Sequence, residues 1–354
     1  MLEVLITLLV ITPFVLYIVV TFTADRGTDD PDTFFLARGK ITSLDFTNTS
    51  VAYGFQIASV SIFFAWGFHY GIGAFVNPFF WGLGILFFLS MLPRLTSFLG
   101  SAQTLHGFLG KSYQSHSVTI LGAVMTLFGF LGAFTAELVW GSTVLSMVKD
   151  DPVFITITTS VMGLFVLFYV LRAGQVSVVK TDQFQLIFAH SSFVALLIAL
   201  TSLMHWRGDT ARAIGLLLSV VTLVLLLVVT RSIYRQLRFE RSSVGGSGPT
   251  WVIFSLMAVG SLGALVNVIL FFPAIGATTE LLQHANLFSL DQGWSNLLSL
   301  ALLPLCWQFA DVTMWQRLSA LQRNDLESDE LLLQRIRLGL RRYAIESPAI
   351  DFFI

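Results

Sequence analysis

Residues 213–231 read AIGLLLSVVTLVLLLVVTR, a run that carries no charged side chain before Arg231. An α-helix rises 1.5 Å per residue, so about 20 apolar residues cross the ~30 Å hydrocarbon core of a bilayer. Backbone N–H and C=O groups find no water in that core and have to bond within the segment, which favours a helix. This stretch therefore predicts a membrane-spanning helix.

The same pattern recurs along the rest of the chain. Hydrophobic residues make up 55% of the 354 residues and charged residues 12%, a balance typical of integral membrane proteins and not of soluble domains. We predict an all-α integral membrane protein with about nine transmembrane helices in a single membrane domain. The predicted spans are residues 2–22, 46–69, 72–93, 117–148, 152–171, 183–204, 213–231, 251–272 and 296–313.

Lysine and arginine divide unequally between the loops that these spans define. Seventeen of the twenty lie on one side, and only Lys149, Arg207 and Arg212 lie on the other. The side richer in positive charge is normally cytoplasmic. We therefore expect a multi-pass protein of the plasma membrane, with its N-terminus outside and its C-terminus in the cytoplasm.

Charge and motif content argue against several other classes of function. The net charge of −1 gives no bulk attraction to nucleic acid. Cys306 is the only cysteine, so no intrachain disulfide can form, and the six histidines show no metal-ligand spacing. No nucleophile elbow or phosphate-binding loop is present in the sequence. We expect a protein that is not an enzyme, with the lipid bilayer as its surroundings.

The second predicted span differs from its neighbours because it is polar on one side. Polar groups at membrane depth face protein or a water-filled cavity. Gly54 in this span and Pro304 in the last one are two candidate helix breaks. Paired breaks are typical of inverted-repeat transporters, although glycine and proline are also commoner in membrane helices generally. The polar residues of the second span are Asn48, Thr49, Ser50, Gln56, Ser59 and Ser61.

Five segments, in this order, resemble the solute:sodium symporter family. The resemblance covers roughly residues 30–320 and implies a partial inverted-repeat bundle, broken near Gly54 and Pro304. The segments are FFLARGKIT (34–42), TLHGFLGKSYQS (104–115), AELVWGSTVL (136–145), VVKTDQFQ (178–185) and FADVTMWQRLSA (309–320).

The resemblance also implies how the chain is divided. Residues 1–22 would be an extra N-terminal helix, 46–204 the first repeat of five core helices, 213–272 an inserted helix pair, and 296–313 the sixth core helix. Residues 314–354 would be a cytoplasmic tail or the start of a second half that is missing, because the family continues with a seventh core helix. Within this segment, 331–343 could instead lie along the inner lipid headgroups, since it mixes Leu and Ile with four Arg.

Site residues follow from the same resemblance. It implies a sodium site at the backbone carbonyls of Gly54 and Ile57, where an unwound turn would expose oxygen atoms. Further candidates fall into two groups. The solute cavity would include Gln56, Ser59 and Glu137, and an inner gate would include Asp182, Asp311, Gln316 and Arg317.

For Asp311, Gln316 and Arg317 a structural gate role, with an Asp311–Arg317 pair, is favoured over contact with the solute. Most of the other candidates also have a purely structural interpretation. Gln56 and Ser59 would form hydrogen bonds between helices, and Glu137 would be a hydrogen-bonded structural glutamate. Asp182 would cap a helix. His190, inside the sixth predicted span, is more often a packed hydrogen-bonding group than a switch.

The function implied by the resemblance is sodium-coupled symport of a small polar organic solute, with sodium as the coupling ion. Sugars, amino acids, carboxylates and nucleobases all fit the expected cavity. Two alternatives stay open. One is a symporter-like sensor that reports solute binding to a cytoplasmic signalling partner, and the other is a non-functional fragment.

Overall fold

The structure is a computed structural model, and it describes residues 15, 18, 19, 22, 31–37, 40–56, 59, 61–63, 65–66, 72–99, 104–205, 208–240, 248–275, 293–321 and 329–353. These residues are almost entirely helical, and no strand occurs among them. The all-α prediction is therefore confirmed. The longer helices are α1 (Pro31–Leu36), α2 (Ser43–Gly54), α3 (Val76–Leu99), α4 (Leu105–Ser112), α5 (His116–Val148), α6 (Pro152–His205), α7 (Asp209–Glu240), α8 (Gly248–Phe271), α9 (Gly293–Ala310), α10 (Val312–Ala320) and α11 (Asp329–Phe353).

Six stretches within the described residues are long and apolar enough to cross a membrane, which fits a multi-pass membrane protein. Each coincides with one of the predicted spans. Of the other three predicted spans, 2–22 lies almost wholly outside the described residues, 46–69 is interrupted, and 183–204 forms the C-terminal part of α6. The six stretches are Gly73–Arg94, His116–Ser146, Pro152–Arg172, Asp209–Phe239, Pro249–Ala274 and Leu298–Ala320.

The chain divides into two compact units. Unit 1 contains Met1–Thr49, Arg94–Phe184 and Val312–Leu333, and unit 2 contains Ser50–Pro93, Gln185–Asp311 and Gln334–Ile354.

In unit 1, α6 bends sharply at Gly174, which has φ 58° and ψ −145°. Side chains other than hydrogen rarely occupy this backbone region. The position is also crowded, because a Cβ on Gly174 would lie 2.2 Å from the carbonyl oxygen of Phe34. Glycine therefore allows the bend that separates residues 152–173 from the second part of the helix.

Also in unit 1, α4 packs on α10. The rings of Phe108 and Trp315 stack with their centroids 5.2 Å apart. Elsewhere in this unit, α5 presents large apolar side chains outward, such as Leu121 (62% exposed) and Phe128 (66% exposed). A helix that is apolar all round is suited to lipid contact.

In unit 2, α3 and α9 run in the same direction. The amide of Asn77 donates to the carbonyl of Leu300 (3.2 Å), and eleven residues later the ring of Phe88 packs on that of Phe309 (5.4 Å). Both positions advance together along the two helices, so the helices are parallel. The predicted topology also has these two spans crossing in the same direction.

The helix pair α7 and α8 packs antiparallel in unit 2. The rings of Tyr234 and Phe254 lie 6.1 Å apart near one end, and Leu226 lies against Gly260 farther along. Each of the two helices buries one face, which includes Ile233 and Met257.

The predicted break at Pro304 is wrong. Helix α9 continues through this residue and ends at Ala310. A proline removes one helical hydrogen bond, but helices can absorb that loss when neighbouring helices and local adjustments satisfy the freed groups. The interruption falls instead at Asp311, the single non-helical residue between α9 and α10.

The C-terminal half of α11 lies inside unit 2. Arg342, Tyr343 and Glu346 have no exposed side-chain surface, and Ser347 is 2% exposed. Within residues 331–343, Arg337 and Arg341 are exposed but Arg342 is not. The segment 342–349 is therefore part of the unit's interior and not an exposed tail.

Candidate functional site

A reciprocal hydrogen-bond pair begins α2 in unit 1. The backbone N–H of Thr42 donates to the Asp45 carboxylate (2.9 Å), and the N–H of Asp45 donates to the Thr42 hydroxyl (3.1 Å). This is a capping box, in which two backbone donors at the helix start are satisfied by side chains. It fixes the Asp45 carboxylate at the first turn of the helix.

The same carboxylate also contacts α6. The side-chain amide of Gln183 donates to Asp45, and the Lys180 ammonium lies 3.7 Å from Asp45 Oδ1. Asp45 and Gln183 are each only 2% exposed. A buried carboxylate needs such partners, because leaving it charged and unpaired would cost several kcal/mol.

A second carboxylate, Asp182, lies on α6 between Lys180 and Gln183. The hydroxyl of Thr49 donates to Asp182, and the Arg317 guanidinium on α10 attracts the same carboxylate. Asp182 is half-buried, and Arg317 is 5% exposed. We call Asp45, Thr49, Lys180, Asp182, Gln183 and Arg317 the unit 1 polar cluster.

The unit 1 polar cluster contains two of the four predicted inner-gate residues. Asp182 and Arg317 interact within it, and Gln316 is half-buried on the same helix as Arg317. Asp311 is 4% exposed and belongs to unit 2. Two carboxylates and two cations balance within the cluster, so its arrangement suits a polar latch between helices more than the capture of a free cation.

The predicted sodium ligand Gly54 and the predicted solute contacts Gln56 and Ser59 lie at or after the end of α2, in unit 2. The helix ends at Gly54, Phe55 and Gln56 are not helical, and Ser59 is helical again. The Phe55 N–H bonds to the carbonyl of Ala52 (2.9 Å), which tightens the last turn. Ile57 lies outside the described residues. An interrupted helix leaves terminal carbonyls without helical partners.

Ser347 of α11 lies against this helix end. A Cβ added to Gly54 would lie 2.7 Å from Ser347 Oγ. Ser347 is 2% exposed, and the described part of the chain supplies no hydrogen-bond partner for its hydroxyl. A buried hydroxyl without a protein partner normally indicates a bound water, ion or ligand.

The remaining solute candidates are half-buried. Gln56 and Ser59 belong to unit 2, and Glu137 lies on α5 in unit 1.

Sequence reasoning did not find a buried charged network in unit 2. Arg342 donates from Nε to Glu346 Oε2 (2.6 Å) and from Nη1 to the side-chain amide oxygen Oε1 of Gln236 (3.2 Å). His190 Nε2 lies 3.0 Å from Glu346 Oε1. We call Arg342, Glu346, His190 and Gln236 the α11 network. Its sequence signal was the i, i+4 spacing of Arg342 and Glu346.

No group of three or more His, Cys, Asp or Glu side chains placed to hold a metal ion occurs within the described ranges. No protein-family model, curated protein or solved structure matches this chain.

Proposed function

We propose that this protein is a membrane carrier that couples sodium to the movement of a small polar organic solute across the cytoplasmic membrane. The observation that carries the proposal is the interruption after Gly54. A helix with a polar face stops there, Phe55 and Gln56 are not helical, and Ser59 is helical. Interrupted helices that expose backbone oxygens are how many secondary transporters bind a coupling ion.

The chemistry of the helix end suits a small hard cation. The Gly54 carbonyl is a hard oxygen donor, and the predicted second donor is the carbonyl of Ile57. The Ser347 hydroxyl adds a further oxygen beside Gly54. Carbonyl and hydroxyl oxygens can replace part of a cation's hydration shell.

The solute would bind next to this ion. Gln56 lies within the interruption and Ser59 lies three residues later, and they offer one amide and one hydroxyl. These groups can hydrogen-bond to a hydroxylated, zwitterionic or carboxylate solute. Glu137, in unit 1, stays a separate prediction from the sequence.

The unit 1 polar cluster is the proposed inner gate. Its buried groups are paired across α2, α6 and α10. Breaking such a latch would leave buried charges without partners, so the closed arrangement is stabilised relative to one in which these pairs are separated. In this proposal Asp182 and Arg317 are the gate pair, Gln316 supports them, and Asp311 marks the joint between α9 and α10.

The direct test is sodium binding to the purified full chain. We expect saturable binding of radioactive sodium that NaCl displaces and KCl does not. Ser347→Ala should weaken binding about fivefold or more, because a lost ion-bound oxygen is worth about 1 kcal/mol or more. Ser255→Ala is the matched control, since that hydroxyl is exposed on α8 and bonds only to the Trp251 carbonyl of its own helix.

Absence of displaceable sodium binding would refute the coupling-ion proposal. Proteoliposomes with an imposed sodium gradient then separate carrier from sensor. The probes are a labelled sugar, amino acid, carboxylate and nucleobase. A carrier accumulates at least one of them inside the vesicles, whereas a sensor binds it without accumulation.

A further inference from the structure

One exposed face of α7 in unit 2 changes from apolar to basic along its length. Its exposed side chains recur every three or four residues from 220 to 238. Residues at this spacing lie on the same side of a helix, so the apolar and the basic part form one continuous face. Its members are, in order, Val220, Val224, Leu227, Val228, Arg231, Tyr234, Arg235 and Arg238. We call Arg231, Arg235 and Arg238 the α7 arginine stripe.

The length of the apolar run sets the depth of the stripe in a bilayer. The uncharged run 213–230 is about 27 Å long at 1.5 Å per residue, close to the ~30 Å of the hydrocarbon core. Arg231 therefore lies where the hydrocarbon ends. Arg235 and Arg238 lie about 6 and 10 Å farther along the helix, at the level of the lipid headgroups.

Two exposed aromatic side chains mark the same level independently. Tyr234 of α7 is 47% exposed and Trp251 of α8 is 45% exposed. Both rings pack on Phe254, with centroid distances of 6.1 and 5.5 Å. Tyrosine and tryptophan collect at the boundary between membrane and water, where one end of the side chain is apolar and the other is wet.

The positive charge of the stripe is not used within unit 2. Among the residues that the structure describes, none offers a hydrogen bond or an ion pair to Arg231, Arg235 or Arg238. The helix dipole favours a cation in the last turn of α7, which accounts for Arg238. It does not account for Arg231, which lies about two turns earlier.

We propose that the α7 arginine stripe binds the phosphate of an anionic phospholipid, whose acyl chains lie along the apolar part of the same face at 220–228. A guanidinium offers a fork of N–H donors that matches two phosphate oxygens. The charge of the stripe, its depth and its continuity with an apolar face all fit a lipid better than a soluble anion. This site is separate from the proposed sodium site and does not depend on it.

Quenching of a fluorophore by brominated lipids tests the proposal in the full chain. The fluorophore is attached at Leu227→Cys, an exposed position on the apolar part of the face, in a Cys306→Ser background. The protein is reconstituted into phosphatidylcholine with equal fractions of brominated phosphatidylglycerol or brominated phosphatidylcholine. We expect brominated phosphatidylglycerol to associate at least about fivefold more strongly, since each basic residue at an anionic surface contributes about that factor.

A second label position shows whether the preference is local. Leu218→Cys lies farther from the stripe on the same helix and is also exposed. A fluorophore there should be quenched almost equally by the two brominated lipids. Equal preference at both positions would mean that the whole protein attracts anionic lipid, which contradicts a site at the stripe.

Substitutions assign the preference to the arginines. Arg235→Gln and Arg238→Gln should each lower the relative association constant at residue 227 about fivefold, and Arg235→Lys should keep most of it because the charge remains. The matched control is Lys111→Gln, which removes an exposed cation of α4 in unit 1. This control should keep the parent's preference, and an equal loss in it would overturn the proposal.

Two further outcomes would also overturn it. Equal quenching by the two lipids in the parent excludes an anionic lipid and leaves an acidic soluble partner as the occupant of the stripe. Loss of the preference on adding inorganic phosphate, but not on adding NaCl at the same ionic strength, identifies a free anion as the ligand. The arginines are exposed, and two independent single variants keep the test decisive if one of them fails to fold. Sodium binding is measured separately, so failure here leaves the proposed coupling ion unaffected.

Discussion

Gly174 is the residue whose replacement should damage unit 1 most directly. Gly174→Ala places a methyl group 2.2 Å from the Phe34 carbonyl oxygen and forces an alanine into a glycine-only backbone region. We expect a loss of at least about 2 kcal/mol in unfolding free energy, because strain in such regions alone costs about 1–3 kcal/mol. Thermal unfolding in detergent, followed by circular dichroism, measures the effect.

Gly163→Ala is the control for that substitution. Gly163 is an ordinary helical residue of the same helix, and a Cβ there would meet nothing within 4 Å. Alanine has the higher helix propensity, by about 1 kcal/mol, so this variant should unfold at the same temperature or slightly above. Equal losses in the two variants would mean that the bend at residue 174 is not required.

The sequence predicted some features of single residues and missed others for physical reasons. The sequence suggested Asp311 as the partner of Arg317, whereas in the structure the Arg317 guanidinium attracts Asp182; the gate role of these residues stays a prediction. The role of Ser347 depends on a contact between residues nearly 300 positions apart, so no local pattern announces it. From the sequence, Arg342 could be a headgroup-binding residue, since it lies in a segment that mixes Arg with Leu and Ile. In the structure its partners are Glu346 and Gln236, and only the fold brings Gln236 to it.

At the scale of elements, the start of α2 is held by Asp45, and Asp45→Asn tests this. The amide cannot attract Lys180 or accept as strongly from the N–H of Thr42 and from Gln183. We expect a loss of about 2–3 kcal/mol, because buried charged partners are left unpaired. Chemical or thermal unfolding of the purified protein provides the measurement.

Asp209→Asn is the same chemical change at an exposed pair. Asp209 lies 3.8 Å from Arg212, with the aspartate side chain 83% exposed. Surface ion pairs contribute about 0–1 kcal/mol, so this variant should behave almost like the parent. A small effect at Asp45 would show that the unit 1 polar cluster does not hold α2 in place.

Helix positions were predictable where apolar runs are long, and breaks were not. The span 117–148 corresponds to α5 (His116–Val148), because lipid-length apolar composition determines it. Proline 304 looked like a break but is accommodated within α9, whereas the interruption occurs at Asp311. Whether a helix tolerates proline depends on its neighbours, and the sequence of one segment does not contain that information.

At the scale of the molecule, the buried half of α11 changes how the chain is understood. Residues 342–349 contribute Glu346 to the α11 network and place Ser347 beside Gly54. Undocking of α11 would remove Ser347, a proposed sodium ligand, so docking of α11 and sodium binding would favour each other.

Membrane orientation is the prediction on which every inside and outside assignment depends. The excess of Lys and Arg predicts that residue 111, before the start of α5, lies in the cytoplasm and that residue 150, after its end, lies outside. Both side chains are exposed, so each accepts a cysteine in a Cys306→Ser background. A membrane-impermeant maleimide applied to intact cells should label Asp150→Cys at once and Lys111→Cys only after permeabilisation. The opposite pattern would invert the topology and place the unit 1 polar cluster at the outer surface, which excludes it as an inner gate.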